Sequence, residues 1–202
     1  MIAYIKGVSM NFNEIINMLN NEPYLASYAE VVGMGGLPLV FTLFCKDEPQ
    51  IYGLRREGML MSLALSLPLI AINILARILY GSPRFESFNL LFPYNIWYAF
   101  LGVFAYGPLE VFFVIWLIVN TDLVFKSIGK VFSPGLLITV LVFGLSHIVL
   151  SPQGGIVNAI SVTITWLILG LVFKYTKNSI GPMIAWTLIN GQVFYLLIGC
   201  LS

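Results

Sequence analysis

Six runs of mostly apolar residues, separated by short polar stretches, constrain this chain more than any other feature. They lie at about Tyr24 to Phe44, Gly58 to Tyr80, Ile96 to Val119, Gly135 to Leu150, Gly155 to Phe173 and Ser179 to Leu201. A helix that crosses a bilayer needs about 20 such residues. Hydrocarbon offers no water to pair a backbone N–H or C=O, so each run has to satisfy its own backbone, as a helix does and an open strand does not. The fourth run is short, which predicts ends tucked among neighbouring helices. Composition points the same way. Of 202 residues, 59% are hydrophobic and 9% charged, against about 25% charged in an ordinary soluble domain. The expected fold class is therefore all-α: a polytopic membrane helix bundle of about six transmembrane helices, integral to the lipid bilayer of the cell membrane.

Nothing in the sequence divides this bundle. It contains no tandem repeat, low-complexity linker or long hydrophilic insertion, so residues 24–202 read as one membrane-embedded domain behind a lead-in segment, residues 1–23. The lead-in lacks the charged, apolar and small-residue order of a cleaved signal peptide. Within it Phe12, Ile15, Ile16 and Leu19 recur at helical spacing among Asn and Glu, the pattern of a helix lying along a membrane surface. A plain lead-in segment would look much the same.

Basic residues orient the bundle. The stretches after the first, third and fifth runs hold Lys46, Arg55 and Arg56, then Lys126 and Lys130, then Lys174 and Lys177. Lys6 and Arg84 lie on the other side, with Arg77 close by. The side richer in lysine and arginine is cytoplasmic, which places both termini outside. Cys45 and Cys200 then fall near opposite faces, too far apart for a disulfide. The formal net charge of +1 and the scattered basic residues exclude a nucleic-acid partner.

The ionisable and amide side chains inside the runs need an explanation, because such a group in mid-membrane costs about 3 kcal/mol or more unless something offsets it. Arg77 lies within a turn of its helix end and can snorkel to the interface. Glu30, in the first third of its helix, can do much the same. Glu110 is harder to place, since it stands mid-run in YGPLEVFFVIW and must find a partner or keep its proton. His147, the single histidine, stands in FGLSHIVL. At about 1.5 Å of rise per residue from the cytoplasmic ends, Glu110 lies at roughly 14 Å, His147 at roughly 18 Å and Asn190 at roughly 17 Å. Three polar residues on three helices thus share one depth.

A carboxylate and an imidazole can hold and deprotonate a water between them, and an amide N–H can stabilise the oxyanion formed when that water attacks a carbonyl. Equally, three such groups can simply tie helices together by hydrogen bonds, each worth about 0.6 to 2 kcal/mol in a membrane. One histidine without paired cysteines makes a poor zinc site. No metal or other cofactor is expected.

FGLSH resembles the second motif, FxxxH, of the CAAX protease and bacteriocin-processing (CPBP, or Abi) family of intramembrane proteases. KYTKNSIGPMIAWTLIN is similar to its third motif region: a short basic turn, a Ser-Ile start, a Pro and then HxxxN. IYGLRR resembles the segment that often precedes the family core, and GPLEVFFVIW occupies the place of the first motif, EExxxR. The resemblance runs in order from about Tyr52 to Asn190. Three positions depart from it. Val111 stands where the second glutamate would be, and Ile115 where the arginine would be, or Val114 if Glu110 fills the second position. Trp186 replaces the histidine of the third motif, while Asn190 remains four residues on and on the same helix face.

The resemblance implies that Glu110 and His147 activate the hydrolytic water and that Asn190 alone is left to stabilise the oxyanion. Two readings stay open. One is an intramembrane glutamate-type endopeptidase cutting prenylated or hydrophobic peptide substrates with an incomplete motif set. The other is an inactive family member, a pseudoprotease that binds a hydrophobic segment or a membrane protein partner, in immunity or as a complex subunit.

Overall fold

The computed structural model describes residues 7, 11–21, 23–80, 101–150 and 155–190, and every regular element among them is helical. Helix α1 (Phe12–Asn21) lies within the lead-in. Helix α2 (Pro23–Glu30) continues through a π-helical turn, Val31–Gly36, into α3 (Leu37–Cys45). A 3-10 turn, Pro49–Tyr52, leads to α4 (Met59–Tyr80). A second π-helical turn, Ala105–Leu109, opens into α5 (Glu110–Val124). Helices α6 (Pro134–Leu150), α7 (Gly155–Thr176) and α8 (Ile180–Ile189) complete the described bundle.

Among the described residues, four stretches are long and apolar enough to cross a membrane: Tyr28–Cys45, Met59–Ala76, Leu101–Val124 and Gly155–Thr176. The fourth run forms a shorter apolar helix. The sixth shows Ile180–Ile189 as helix, and the part of it beyond Asn190 lies outside the described residues. So do the start of the third run, Lys6, Arg84, Cys200 and the side chain of Arg77. The third helix runs on to Val124, five residues past the apolar run, because Asn120, Thr121 and Asp122 sit in its last turns rather than in a loop.

Asp122 explains that extension. Its carboxylate, 1% exposed, accepts from Ser127 Oγ at 2.8 Å, Ser133 Oγ at 2.8 Å and the Gly135 backbone N–H at 2.9 Å, and it pairs with the Lys174 ammonium. Ser133 also caps α6 by accepting from Leu136 N at 3.2 Å, with Pro134 pre-shaped for the first helical position. Three helices and the loop between two of them therefore converge on one carboxylate. Lys174, which the sequence suggested as a loop residue, lies in the last turn of α7 and is buried. A buried charge persists where it is paired and its remaining hydrogens are satisfied, and Lys174 also donates to Ile128 O at 3.2 Å.

A second polar junction ties the segment before α4 to the turn before α8. Asn178 is fully buried. Its Nδ2 donates to Arg55 O at 2.6 Å and Glu57 O at 3.0 Å, and its Oδ1 accepts from Ile180 N at 3.0 Å. Arg55 Nε donates to Lys177 O at 2.9 Å, and Ser62 Oγ to Asn178 O at 3.0 Å. Backbone approach here is so close that a Cβ on Gly53, whose φ is +78°, would meet Ser179 N at 2.7 Å. Beside this junction Tyr52 packs edge-on against Phe112 at 5.6 Å and donates to Asp47 at 2.6 Å. Burial, with Asp47 next to it, holds its hydroxyl above the ordinary tyrosine range.

Candidate functional site

The Asp122 junction fixes the register of α5 against α6. Gly135 N bonds to Asp122, and a Cβ on Gly135 would collide with Ile118 O, so the two helices touch there and run antiparallel. Glu110 lies twelve residues before Asp122 and His147 twelve after Gly135, a rise of about 18 Å in each case. Counted this way, Glu110 and His147 come to about the same height on adjacent helices. Asn190 ends α8 and joins the same layer, since its Nδ2 donates to Glu110 Oε2 at 3.3 Å and to Tyr106 O at 2.9 Å.

Glu110 is 4% exposed. Its closest partner is the residue that replaces the motif histidine: Trp186 Nε1 donates to Glu110 Oε2 at 2.7 Å. Among the described residues every hydrogen bond to Glu110 lands on Oε2, leaving Oε1 without one. His147 is anchored at one end as well. Its Nδ1 lies 2.8 Å from Phe143 O, and because a carbonyl only accepts, Nδ1 carries the proton and Nε2 of the neutral ring is an acceptor. Among the described residues no hydrogen bond joins His147 to Glu110.

Aromatic rings connect the two instead. His147 packs on Phe143 at 5.1 Å, Phe143 meets Trp166 edge-on at 5.4 Å, and Trp166 lies 4.8 Å from Trp186. Val111, Val114 and Ile115, at the positions where the motif would carry glutamate and arginine, are at most 1% exposed and belong to the apolar core. Apolar packing fills the space that two more charged groups would need.

Two contributors escaped the sequence reading. Glu30 does not reach for the interface: its carboxyl hydrogen-bonds the Tyr106 side chain and lies close enough to Glu110 for the two to act on each other electrostatically. Both glutamates flank π-helical turns, Glu30 preceding Val31–Gly36 and Glu110 directly after Ala105–Leu109. These turns pack on each other, with Gly35 so near Leu109 that an added Cβ would lie 2.9 Å from its side chain. The inserted residue of a π-turn rotates the helix beyond it, and such turns recur at functional sites. Gly33, Gly35 and Gly36 in one turn of the pair and Pro108 in the other were the available signals. Trp166 is the second contributor, a lone indole in an apolar run that sequence alone cannot separate from core.

A protein-family model described as Rce1-like, type II CAAX prenyl endopeptidase Rce1-like, matches residues 91–192. The matched region is about half of the chain and contains Glu110, His147, Trp186 and Asn190. No curated protein and no solved structure matches the chain.

Proposed function

The chain belongs to the type II CAAX prenyl endopeptidase Rce1-like family, and from that premise we propose that it is an intramembrane glutamate-type endopeptidase acting on prenylated or hydrophobic peptides. The observation that carries this reading is that Glu110 and His147, at about equal helical rise from the Gly135–Asp122 contact, are each anchored at one end with one acceptor left over among the described residues. A water between Glu110 Oε1 and His147 Nε2 would give up a proton to one of them as its oxygen attacks the scissile carbonyl. The proton then passes to the leaving amine as the C–N bond breaks. We assign to Asn190 the orienting of Glu110 rather than the oxyanion, because its amide already serves two acceptors. In the orientation we propose, the 46–58, 125–133 and 177–179 stretches are cytoplasmic, in line with their excess of basic residues.

The Trp186 bond to Glu110 favours a second reading. A carboxylate held by an indole is satisfied without substrate, as suits a pseudoprotease that binds a hydrophobic segment or membrane partner and leaves it whole. One experiment separates the two. Purified protein is incubated with a farnesylated CAAX-type peptide, beside Glu110→Gln and His147→Ala. The proposal expects cleavage by the wild type and none by either variant, all three remaining folded. Binding without cleavage by the wild type, matched by Glu110→Gln, would establish the binder.

A further inference from the structure

The side chains that could donate a hydrogen bond in this layer are almost all committed. Trp186 gives its N–H to Glu110, and Asn190 gives its amide to Glu110 and Tyr106 O. Ser146 Oγ and His147 Nδ1 both turn back to Phe143 O. Thr163 and Thr187 bond to the carbonyls of Ala159 and Met183 in their own helices. Trp166 is the exception. Its side chain is 1% exposed, and its Nε1 is buried with no hydrogen-bond partner among the described residues.

A buried donor left unpaired costs about 1–3 kcal/mol, and native proteins keep few of them. A core position that needed only volume would be served by Phe or Leu at no such cost. The ring faces of Phe143 and Trp186 are weak acceptors and do not remove the need for an oxygen. The position of this donor is also specific. The Trp166 indole lies between Phe143, on which His147 rests, and Trp186, which holds Glu110. It is held there by α7 packing against α6 so closely that a Cβ on Gly144 would run into Thr163.

We infer that the Trp166 indole N–H is the donor that receives the carbonyl oxygen of a bound peptide, taking over the oxyanion role that Trp186 and Asn190 have given up to Glu110. The inference rests on the reading of the site as a peptide site and deepens it. The carbonyl oxygen gains negative charge as water adds to its carbon and loses it when the C–N bond breaks. The N–H is covered in the ligand-free protein, so a bound peptide has to displace its ring neighbours before the N–H can donate to that charge. The group recognised is a peptide carbonyl, not a cation or a phosphate.

The test compares wild type with Trp166→Phe and with benzothienylalanine at position 166, which keeps the bicyclic shape and lacks the N–H. The full chain is used in detergent with a farnesylated CAAX-type peptide and with the corresponding peptide aldehyde, whose hydrate mimics the tetrahedral intermediate. Both replacements should lower kcat about a hundredfold to a thousandfold with KM little changed, and weaken aldehyde binding more than peptide binding. Without ligand, both should unfold at or above the wild-type temperature, since an unpaired donor has been removed. Wild-type kcat and aldehyde affinity in both replacements would overturn the inference while leaving the endopeptidase reading intact. So would a clear loss of ligand-free stability in the benzothienylalanine protein, which would mean that the N–H already holds a bound water. A wild type that binds the aldehyde without cutting the peptide, and binds it more weakly once the N–H is gone, would refute cutting and keep the donor. A wild type that neither cuts nor binds either probe would end both.

Discussion

Trp186 decides how the site is read, because a histidine and an indole at the same position put different chemistry beside Glu110. The indole N–H has one direction to donate in, and it is spent on Oε2. Trp186→Phe would leave that oxygen to Asn190 alone at 3.3 Å. The expected cost is about 1–3 kcal/mol, as for a buried acceptor losing its main partner, read as a lower unfolding temperature in detergent. Trp186→His is expected to act in the opposite sense on rate. It restores the family's missing donor one turn from Asn190, and the cleavage rate should rise toward the hundredfold to thousandfold that one oxyanion donor is worth. A rate no higher than wild type would show that the donor at this position is not what limits the enzyme.

The helices are registered by two buried polar junctions and ended by an unusual choice of residue. Asp122→Ala would strand the Lys174 ammonium in the core and should cost about 3–5 kcal/mol, whereas replacing both with Leu and Met should cost far less, since a buried ion pair is roughly matched by good apolar packing. Equal loss in the single and double variants would mean that Ser127, Ser133 and Gly135 carry the junction without the lysine. At three other helix ends, Lys46, Lys126 and Lys177 adopt left-handed backbone with φ of 55°, 52° and 55°. That conformation costs a residue with a Cβ about 1–2 kcal/mol, and glycine would avoid it. Lysine's charge suits the helix C-terminus, and in the proposed orientation it would suit the cytoplasmic side as well. Lys126, exposed and beyond the Asp122 junction, offers the cleanest trial: Lys126→Gly should stabilise the folded protein by about 1 kcal/mol in a thermal melt.

At the scale of the whole molecule the three basic stretches are one surface. Arg55 reaches Lys177 O, Asn178 reaches Arg55 O and Glu57 O, and Lys174 reaches Ile128 O. Joined this way, they share one side of the membrane. Single cysteines at the exposed positions Gln50, Gly129 and Tyr175, in a chain carrying Cys45→Ser and Cys200→Ser, should therefore react together with an impermeant maleimide, and only from the cytoplasmic face. Labelling of any one of the three from outside intact cells would refute the orientation.

The all-helical membrane class was legible in the sequence because hydrocarbon leaves a long apolar run few alternatives. Glu110 and Asn190 could be put at one depth by counting, because helical rise is constant, and a hydrogen bond joins them; counting puts His147 at that depth as well, but its described hydrogen bond goes to Phe143 O. Asp122 and Lys174 were not legible, since at the end of a span a charge looks solvated until the partner helix that buries it is in place. Glu30 was hidden for the same kind of reason: its direction depends on two facing π-turns, and a π-turn is a property of packing as much as of Gly and Pro. Trp166 shows the boundary most plainly. Its sequence neighbourhood, VTITWLILG, fixes only that the indole is in a helix in an apolar setting. That its N–H has no partner among the described residues, between the partners of His147 and Glu110, was decided by the tertiary structure, because a hydrogen bond unmade depends on every element that could have made it.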